Sequence, residues 1–146
     1  MNKTVNLDSP GVQSYLTILQ GVIGRMASNS AAAKTWCIAL VSAIMVVVAG
    51  KGEPRYVWLA LVPVSLFFVL DAYYLGLERQ FRVRYNDFIC RLHEGKAEVE
   101  DLFIVTPGGG LSGPIKAAFE ACGSVSVWPF YVLLGLMLVA VRGWIL

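Results

Sequence analysis

The chain has 146 residues, of which 57% are hydrophobic and 15% are charged, and its formal net charge is +2. Its mean hydropathy of +0.64 is high for a soluble domain, in which about half of the residues are apolar. The apolar residues fall in three long runs that charged residues avoid. This pattern excludes an ordinary soluble globular domain and indicates a small multi-pass membrane protein.

Residues 1–30 are predicted to contain an amphipathic helix. Asp8 or Ser9 suits its N-cap and Pro10 suits its first turn. Apolar side chains then recur at about 3.6 residues per turn, at Val12, Tyr15, Leu16, Leu19, Val22, Ile23 and Met26. The helix could lie in the membrane interface or pack on the same protein or a neighbouring copy. Its polar face is poor in Lys and Arg, which favours packing.

Residues 31–77 are predicted to form a transmembrane hairpin. At about 1.5 Å per residue, the first span at 31–50 is long enough for a hydrocarbon core of about 30 Å. A tight turn then leads to the second span at 56–77. We expect Pro63 to bend this second span, since proline interrupts a backbone hydrogen bond.

The segment 78–124 is predicted to be cytoplasmic. No helix breaker separates it from the second span, so we expect one long helix that leaves the membrane. The Gly-rich stretch 107–114 suggests a phosphate-binding loop, but no Lys-Ser/Thr follows it and no buried strand precedes it, so a turn is predicted. A third span at 125–146 completes the predicted fold class, an all-α membrane protein with three transmembrane helices.

Cations near the span ends predict the orientation. Seven lie on the side that we place in the cytoplasm, namely Lys3, Arg25, Lys34, Arg79, Arg82, Arg84 and Arg91. The opposite side has only Lys51, Arg55 and Arg142. This asymmetry predicts a cytoplasmic N-terminus and a C-terminus outside.

Asp71 is an acidic residue within the second span, near its inner end. An acid within a membrane span indicates a functional site, such as a proton or cation site. The alternative is a structural ion pair with Lys34 or Arg25, both of which are predicted at the same depth. We favour the ion pair.

Arginines Arg79, Arg82, Arg84 and Arg91 follow the second span. In one copy they agree with the usual cytoplasmic excess of cations. In a closed ring they would repeat around an axis and attract anions, and their planar forks suit phosphate. Lys116, at the start of a predicted short helix, could add an anion contact. These five residues are the candidate site for an anionic nucleotide or oligonucleotide.

An apolar stripe accompanies the arginines along the same predicted helix. Its members recur at helical spacing, at Phe81, Tyr85, Phe88 and Leu92. Outside the membrane such a stripe needs a partner, either the N-terminal helix or another subunit. We assign it to oligomer packing.

Catalytic chemistry is not indicated. The chain has one histidine, His93, and its three cysteines, Cys37, Cys90 and Cys122, lack the spacing of a metal site and are expected to be free thiols. No nucleophile and base pair can be assembled, so we predict a non-enzyme without catalytic residues, metal or cofactor.

A set of positions within 12–92 carries a resemblance to a widespread group of small bacterial membrane proteins. They are Arg25, Asn29, Ser30, Lys34, Trp36, Pro63, Asp71, Tyr74, Glu78, Arg79, Phe81, Arg82 and Tyr85. Within this group the chain resembles the membrane effector of Hailong-type anti-phage systems. The resemblance does not extend through 97–146, and no ligand residue is transferred from it.

The resemblance implies a homotetrameric, electropositive ion channel in the bacterial inner membrane. A nucleotidyltransferase partner would make short oligodeoxyadenylate, which holds the channel shut. Loss of that oligomer during infection would open the channel and depolarise the cell.

The expected function is therefore a homo-oligomeric channel, anion-selective or weakly selective, gated by an anionic nucleotide or short DNA. Its pore could be lined by the third span, through Ser124, Trp128, Tyr131, Gly135 and Arg142, or by the first, through Thr35, Ser42 and Ala49. The alternative is a non-conducting membrane anchor that recruits a soluble partner through the apolar stripe.

Overall fold

A computed structural model of the chain describes residues 8–51, 53–107 and 112–145. These residues form helices and turns and contain no strand. The α-helices are α1 (Pro10–Lys51), α2 (Leu61–His93), α3 (Ser112–Cys122) and α4 (Trp128–Ile145), and two short 3-10 helices lie at Pro54–Ala60 and Val99–Asp101. The predicted all-α fold class is confirmed in this respect.

Helix α1 joins the predicted amphipathic helix and the predicted first span into one continuous helix. The predicted division near residue 30 is absent because α1 contains no proline after Pro10, and the residues around 27–35 are mostly alanine and serine. Its 42 residues correspond to about 63 Å, roughly twice the hydrocarbon thickness of a bilayer. A large part of α1 therefore extends beyond any membrane that it crosses.

Helix α2 is also continuous, and it confirms the predicted extension of the second span into a long helix. Its 33 residues reach about 50 Å. The predicted start of the span at Tyr56 falls in the 3-10 helix Pro54–Ala60, so α-helical geometry begins only at Leu61. Pro63 lies in the first turn of α2, where a missing N–H costs little. It is therefore not in the middle of a span, where the predicted bend would arise.

Two segments are long and apolar enough to cross a membrane, namely Pro10–Lys51 and Arg55–His93. The third predicted span corresponds to the shorter apolar helix Trp128–Gly143. This helix returns beside the start of α2, because the Arg142 guanidinium carbon lies 4.9 Å from the centroid of the Trp58 ring. We call this end of the molecule, which also carries Lys51 and the 3-10 helix Pro54–Ala60, the turn end, and the opposite end the tail end.

The helices enclose two separate hydrophobic cores. The span core, towards the turn end, is built from α1, α2, α4, the first 3-10 helix, the end of α3 and the turn that follows it, with Cys37, Val41, Val48, Val57, Ala60, Val64, Ala72, Ala121, Val127, Tyr131 and Leu138 buried. The tail core joins the start of α1 to the end of α2 and buries Val12, Tyr15, Leu19, Val22, Phe81, Phe88, Leu92 and Ala97. Three polar side chains of the described residues are also buried: Ser30 lies between the two cores on α1, Glu78 lies between them on α2, and Asp71 lies next to Ala72 at the edge of the span core.

The apolar stripe packs into the tail core of its own chain, which corrects its assignment to oligomer packing. Phe81, Phe88 and Leu92 are buried against α1, and the Tyr15 ring meets Phe88 edge-on at a centroid distance of 4.9 Å. Tyr85 is half-buried, and its hydroxyl accepts a hydrogen bond from the Gln20 side chain at 3.0 Å. The chain's own N-terminal helix covers the stripe because the apolar residues of both helices recur with helical period, from Val12 to Val22 on α1 and from Phe81 to Leu92 on α2.

Candidate functional site

A groove of about 550 Å³ lies between α2 and α3 at the tail end. Helix α2 contributes one face, whose residues are spaced by about one helical turn, and α3 contributes the facing row. The lining residues are Arg79, Gln80, Val83, Arg84, Asp87, Gly113, Lys116, Ala117 and Glu120. We call this surface the arginine groove.

A close crossing of two helix backbones holds α3 in place beside the groove. A Cβ atom added at Gly76 would lie 2.7 Å from the carbonyl carbon of Ala117 and 2.7 Å from the amide nitrogen of Ala118. Only glycine fits at this distance, and Ala72 and Ala121 are fully buried near the same crossing. Small residues thus allow α3 to rest on α2, and the arginine groove begins one turn further along α2.

Three of the five predicted ligand residues meet in this groove, namely Arg79, Arg84 and Lys116. The Arg79 guanidinium donates a 2.6 Å hydrogen bond to the Ser124 hydroxyl. The Nε atom of Arg84 is buried and has no hydrogen-bond partner among the residues that the structure describes. Lys116 is exposed at the groove wall. These three cations face two carboxylates, Asp87 and Glu120, so the lining is positive by one charge.

The other two predicted ligand residues are engaged elsewhere. Arg82 pairs with Glu78 one turn earlier on α2, at 2.7 Å. Arg91 forms a two-pronged pair with Asp101, with its Nη1 at 3.0 and 3.1 Å from the two carboxylate oxygens, and its Nε lies 3.3 Å from Asp87. Neither lines the groove: Arg82 is held by Glu78, and Arg91 is held by Asp101 and by Asp87, which itself lines the groove.

Asp101 fastens the segment after α2 to that helix. The backbone N–H of Glu98 donates to its carboxylate at 3.0 Å. That hydrogen bond and the pair with Arg91 lower the pKa of Asp101 below its ordinary value, although burial opposes them. Arg91 therefore acts as a structural clamp, and Tyr15 reinforces it by donating a 2.9 Å hydrogen bond to the carbonyl of Ile104.

Sequence reasoning did not assign seven of the described residues to this region: Gly76 and six that line the groove, namely Gln80, Val83, Asp87, Gly113, Ala117 and Glu120. Gly76 makes the groove possible. The spacing of Gln80 and Arg84 by four residues could have placed both on one helix face. The partner face on α3 could not be read in this way, because it depends on how two helices cross.

Asp71 lies in a buried polar cluster, and its side chain is fully buried. The Lys34 ammonium lies 2.5 Å from one carboxylate oxygen, and the Ser30 hydroxyl donates to the other. Arg25, the second predicted partner, is exposed and forms no ion pair within the described part of the chain. The geometry is that of a structural pair between α1 and α2, the alternative that the sequence favoured.

Part of the predicted pore-lining face of α4 packs against the rest of the chain. Tyr131 is buried, and its hydroxyl donates a 3.0 Å hydrogen bond to the carbonyl of Phe67 on α2. Arg142 stacks on Trp58. On α1, Ser42 lies in an apolar groove between α1 and α4.

Two further predictions concern the loop and metal sites. Of the Gly-rich stretch 107–114, residues 108–111 lie outside the described residues. Among the described residues no group of three or more His, Cys, Asp or Glu side chains is placed to hold a metal ion. His93 is exposed in the last turn of α2.

Comparison with known proteins gives no further assignment: no protein-family model, no curated protein and no solved structure matches the chain.

Proposed function

We propose that this protein is the subunit of a homo-oligomeric ion channel in the bacterial inner membrane, controlled by an anionic nucleotide or short DNA. The observation that carries the proposal is the arginine groove, in which Arg79, Arg84 and Lys116 converge beside two helices long enough to span a membrane. The resemblance to Hailong-type effectors adds the tetrameric state, the anti-phage role and oligodeoxyadenylate as ligand.

The chemistry of the groove suits phosphate. A guanidinium offers two parallel N–H donors to two phosphate oxygens, and an ammonium adds a point charge. The unpartnered Nε of Arg84 is a donor that an incoming anion would satisfy. Asp87 and Glu120 limit the affinity for simple anions, and a ligand with several phosphates would gain most from a groove repeated around a ring.

The proposed orientation follows the cation asymmetry. It places the tail end in the cytoplasm, where a nucleotidyltransferase partner would supply the ligand, and the C-terminus in the periplasm. The groove adjoins the crossing of α2 and α3 at Gly76, and α3 leads directly into α4. A ligand that draws α3 towards α2 would thereby bias the position of α4, and release of the ligand would open the channel.

The test is ion flux from liposomes that contain the purified protein. We expect flux without ligand and suppression by short oligodeoxyadenylate. Arg84→Glu with Lys116→Glu should weaken the DNA effect by at least about a hundredfold, since two charged hydrogen bonds at about 1.5–3 kcal/mol each are lost. The matched control is Arg82→Glu, an exposed arginine outside the groove on the same helix.

Absence of flux under every ligand condition would reject the channel. Equal DNA sensitivity in the groove variant and in Arg82→Glu would remove the arginine groove from the site. The competing anchor proposal has lost the docking surface assigned to it, because Phe81, Phe88 and Leu92 are buried within the chain.

A further inference from the structure

A second groove lies at the opposite, turn end of the molecule, between α1 and the 3-10 helix Pro54–Ala60. Its volume is about 390 Å³, and we call it the end groove. Its lining is apolar along most of its length and changes to a cation and a phenol at one end, with Leu40, Ala43, Ile44, Val47, Val48, Lys51, Tyr56 and Leu59.

The apolar part of the end groove follows α1 for about three turns, roughly 16 Å from Leu40 to Lys51. Val48 is fully buried at its floor, whereas Leu40, Val47 and Leu59 on its walls are 46–58% exposed. Ala43 is exposed, and its methyl group leaves the middle of the groove open. The shape fits an extended hydrocarbon chain that lies along the helix.

The polar end of the groove is positively charged. The Lys51 ammonium lies 5.7 Å from the centroid of the Tyr56 ring, and the Arg55 guanidinium carbon lies 5.4 Å from the same centroid. Arg142 lies at this end too, stacked on Trp58. Among the described residues at this end, the acid is Glu53. Its carboxylate lies 3.1 Å from Arg55 and is already engaged in an ion pair.

We propose that the end groove binds one phospholipid of the surrounding leaflet, with its phosphate at Lys51 and Arg55 and one acyl chain along Leu40–Val47. The inference goes beyond the proposed channel function and rests only on its membrane location. Cations and an aromatic ring at the end of an apolar groove are the chemistry that recognises a lipid head group.

A second copy of this chain is the other conceivable occupant, and charge argues against it. A copy docked through this same surface would place Lys51, Arg55 or Arg142 near the same cations, whereas a lipid phosphate supplies the missing negative charge. The second apolar groove, between α1 and α4, has no charged residue in its lining and offers no such complement.

The test is a lipid titration of the delipidated full-length protein in detergent, followed by native mass spectrometry. Phosphatidylglycerol is the anionic probe and phosphatidylcholine the zwitterionic one. We expect one saturable phosphatidylglycerol per protomer, bound several-fold more tightly than phosphatidylcholine. Lys51→Gln should weaken phosphatidylglycerol binding roughly fivefold, and Lys51→Arg should retain it.

Filling the groove tests the acyl-chain position. Ala43→Phe should abolish the lipid adduct, whereas Ala49→Phe, an exposed alanine on the opposite side of α1, should leave it unchanged. Circular dichroism of both variants checks their helix content, and the Lys51 pair decides the question if Ala43→Phe fails to fold.

The proposal is overturned if wild-type protein binds no saturable lipid, or if Ala43→Phe and Ala49→Phe retain lipid equally. It is also overturned if Ala43→Phe changes the oligomer mass and leaves lipid binding intact, because a second copy then occupies the groove. These measurements count bound lipid and do not depend on conductance, so failure of the channel proposal would leave them standing.

Discussion

Asp71 and Lys34 connect α1 to α2 at the border between the two hydrophobic cores. The carboxylate is fully buried and the lysine side chain is 22% exposed, at a separation of 2.5 Å. Taking a carboxylate out of water costs several kcal/mol, which the lysine and the Ser30 hydroxyl offset. The value of the pair lies in specifying which turns of α1 and α2 face each other.

We expect Asp71→Ala to destabilise the protein by about 3 kcal/mol, because Lys34 then keeps its charge without a partner. Thermal unfolding in detergent should show a melting temperature lower by about 10 °C. Glu53→Ala, which removes an exposed acid at the turn end, should have little effect.

The double variant Asp71→Ala with Lys34→Met should recover much of the loss, since it removes both charges. If the double variant melts as low as Asp71→Ala, the loss comes from packing around Asp71, and the ion pair does not account for it.

At the scale of elements, the crossing of α2 and α3 decides whether the arginine groove exists. The two backbones approach so closely at Gly76 that a methyl group would overlap the peptide between Ala117 and Ala118. Helices cross at this distance only where small residues meet. Separation of α3 from α2 would move Lys116 away from Arg84.

Gly76→Ala should therefore destabilise the protein by about 1–3 kcal/mol, because backbone atoms cannot yield as a side chain would. The same substitution at Gly24 meets nothing within 4 Å. Gly24→Ala should instead stabilise α1 by roughly 0.5–1 kcal/mol, since alanine favours helix more than glycine.

Melting temperatures of the two variants provide the comparison, and binding of a fluorescent oligodeoxyadenylate provides a second readout. We expect Gly76→Ala to lower both and Gly24→Ala to lower neither. Stabilisation by Gly76→Ala would show that α3 rests on α2 less closely than the structure indicates.

At the scale of the whole molecule, α1 and α2 are both longer than a bilayer is thick, so a membrane that contains the span core leaves the tail core in water. The tail core is closed by apolar contacts between the two helices and by the Arg91–Asp101 clamp. A membrane around the span core would make the molecule a membrane bundle joined to a helical tail, with the arginine groove on the tail side of their junction.

With the proposed orientation, this arrangement predicts from which side of the membrane Cys90 reacts. Cys90 is exposed near the end of α2, whereas Cys37 is buried in the span core. In intact cells a membrane-impermeant maleimide should not label Cys90, and labelling should appear once the inner membrane is permeabilised.

The matched control is Arg55→Cys in a chain without other cysteines, which places a thiol at the turn end and should react in intact cells. The reverse pattern would invert the proposed orientation and place the arginine groove outside the cytoplasm.

The sequence by itself determined the helical class, the long apolar segments and the expectation that Asp71 pairs with a cation on α1, and the structure selected Lys34 over Arg25 as that cation. These features follow from composition, helical period and depth along a helix, all of which are local or nearly so. The amphipathic pattern of residues 12–26 and the stripe at 81–92 were also readable, because each helix shows its own apolar face.

Only the tertiary structure decided what those faces meet. The sequence left two candidate partners for the stripe, the chain's own α1 and another copy. The structure shows that the stripe packs with Tyr15 and Leu19 of its own α1. The arginines were equivalent in sequence, but nearby carboxylates engaged Arg82 and Arg91, and the crossing at Gly76 brought Lys116 to Arg84. Which residues share a site depends on distances between elements far apart in the chain, and helical period carries no information about those distances.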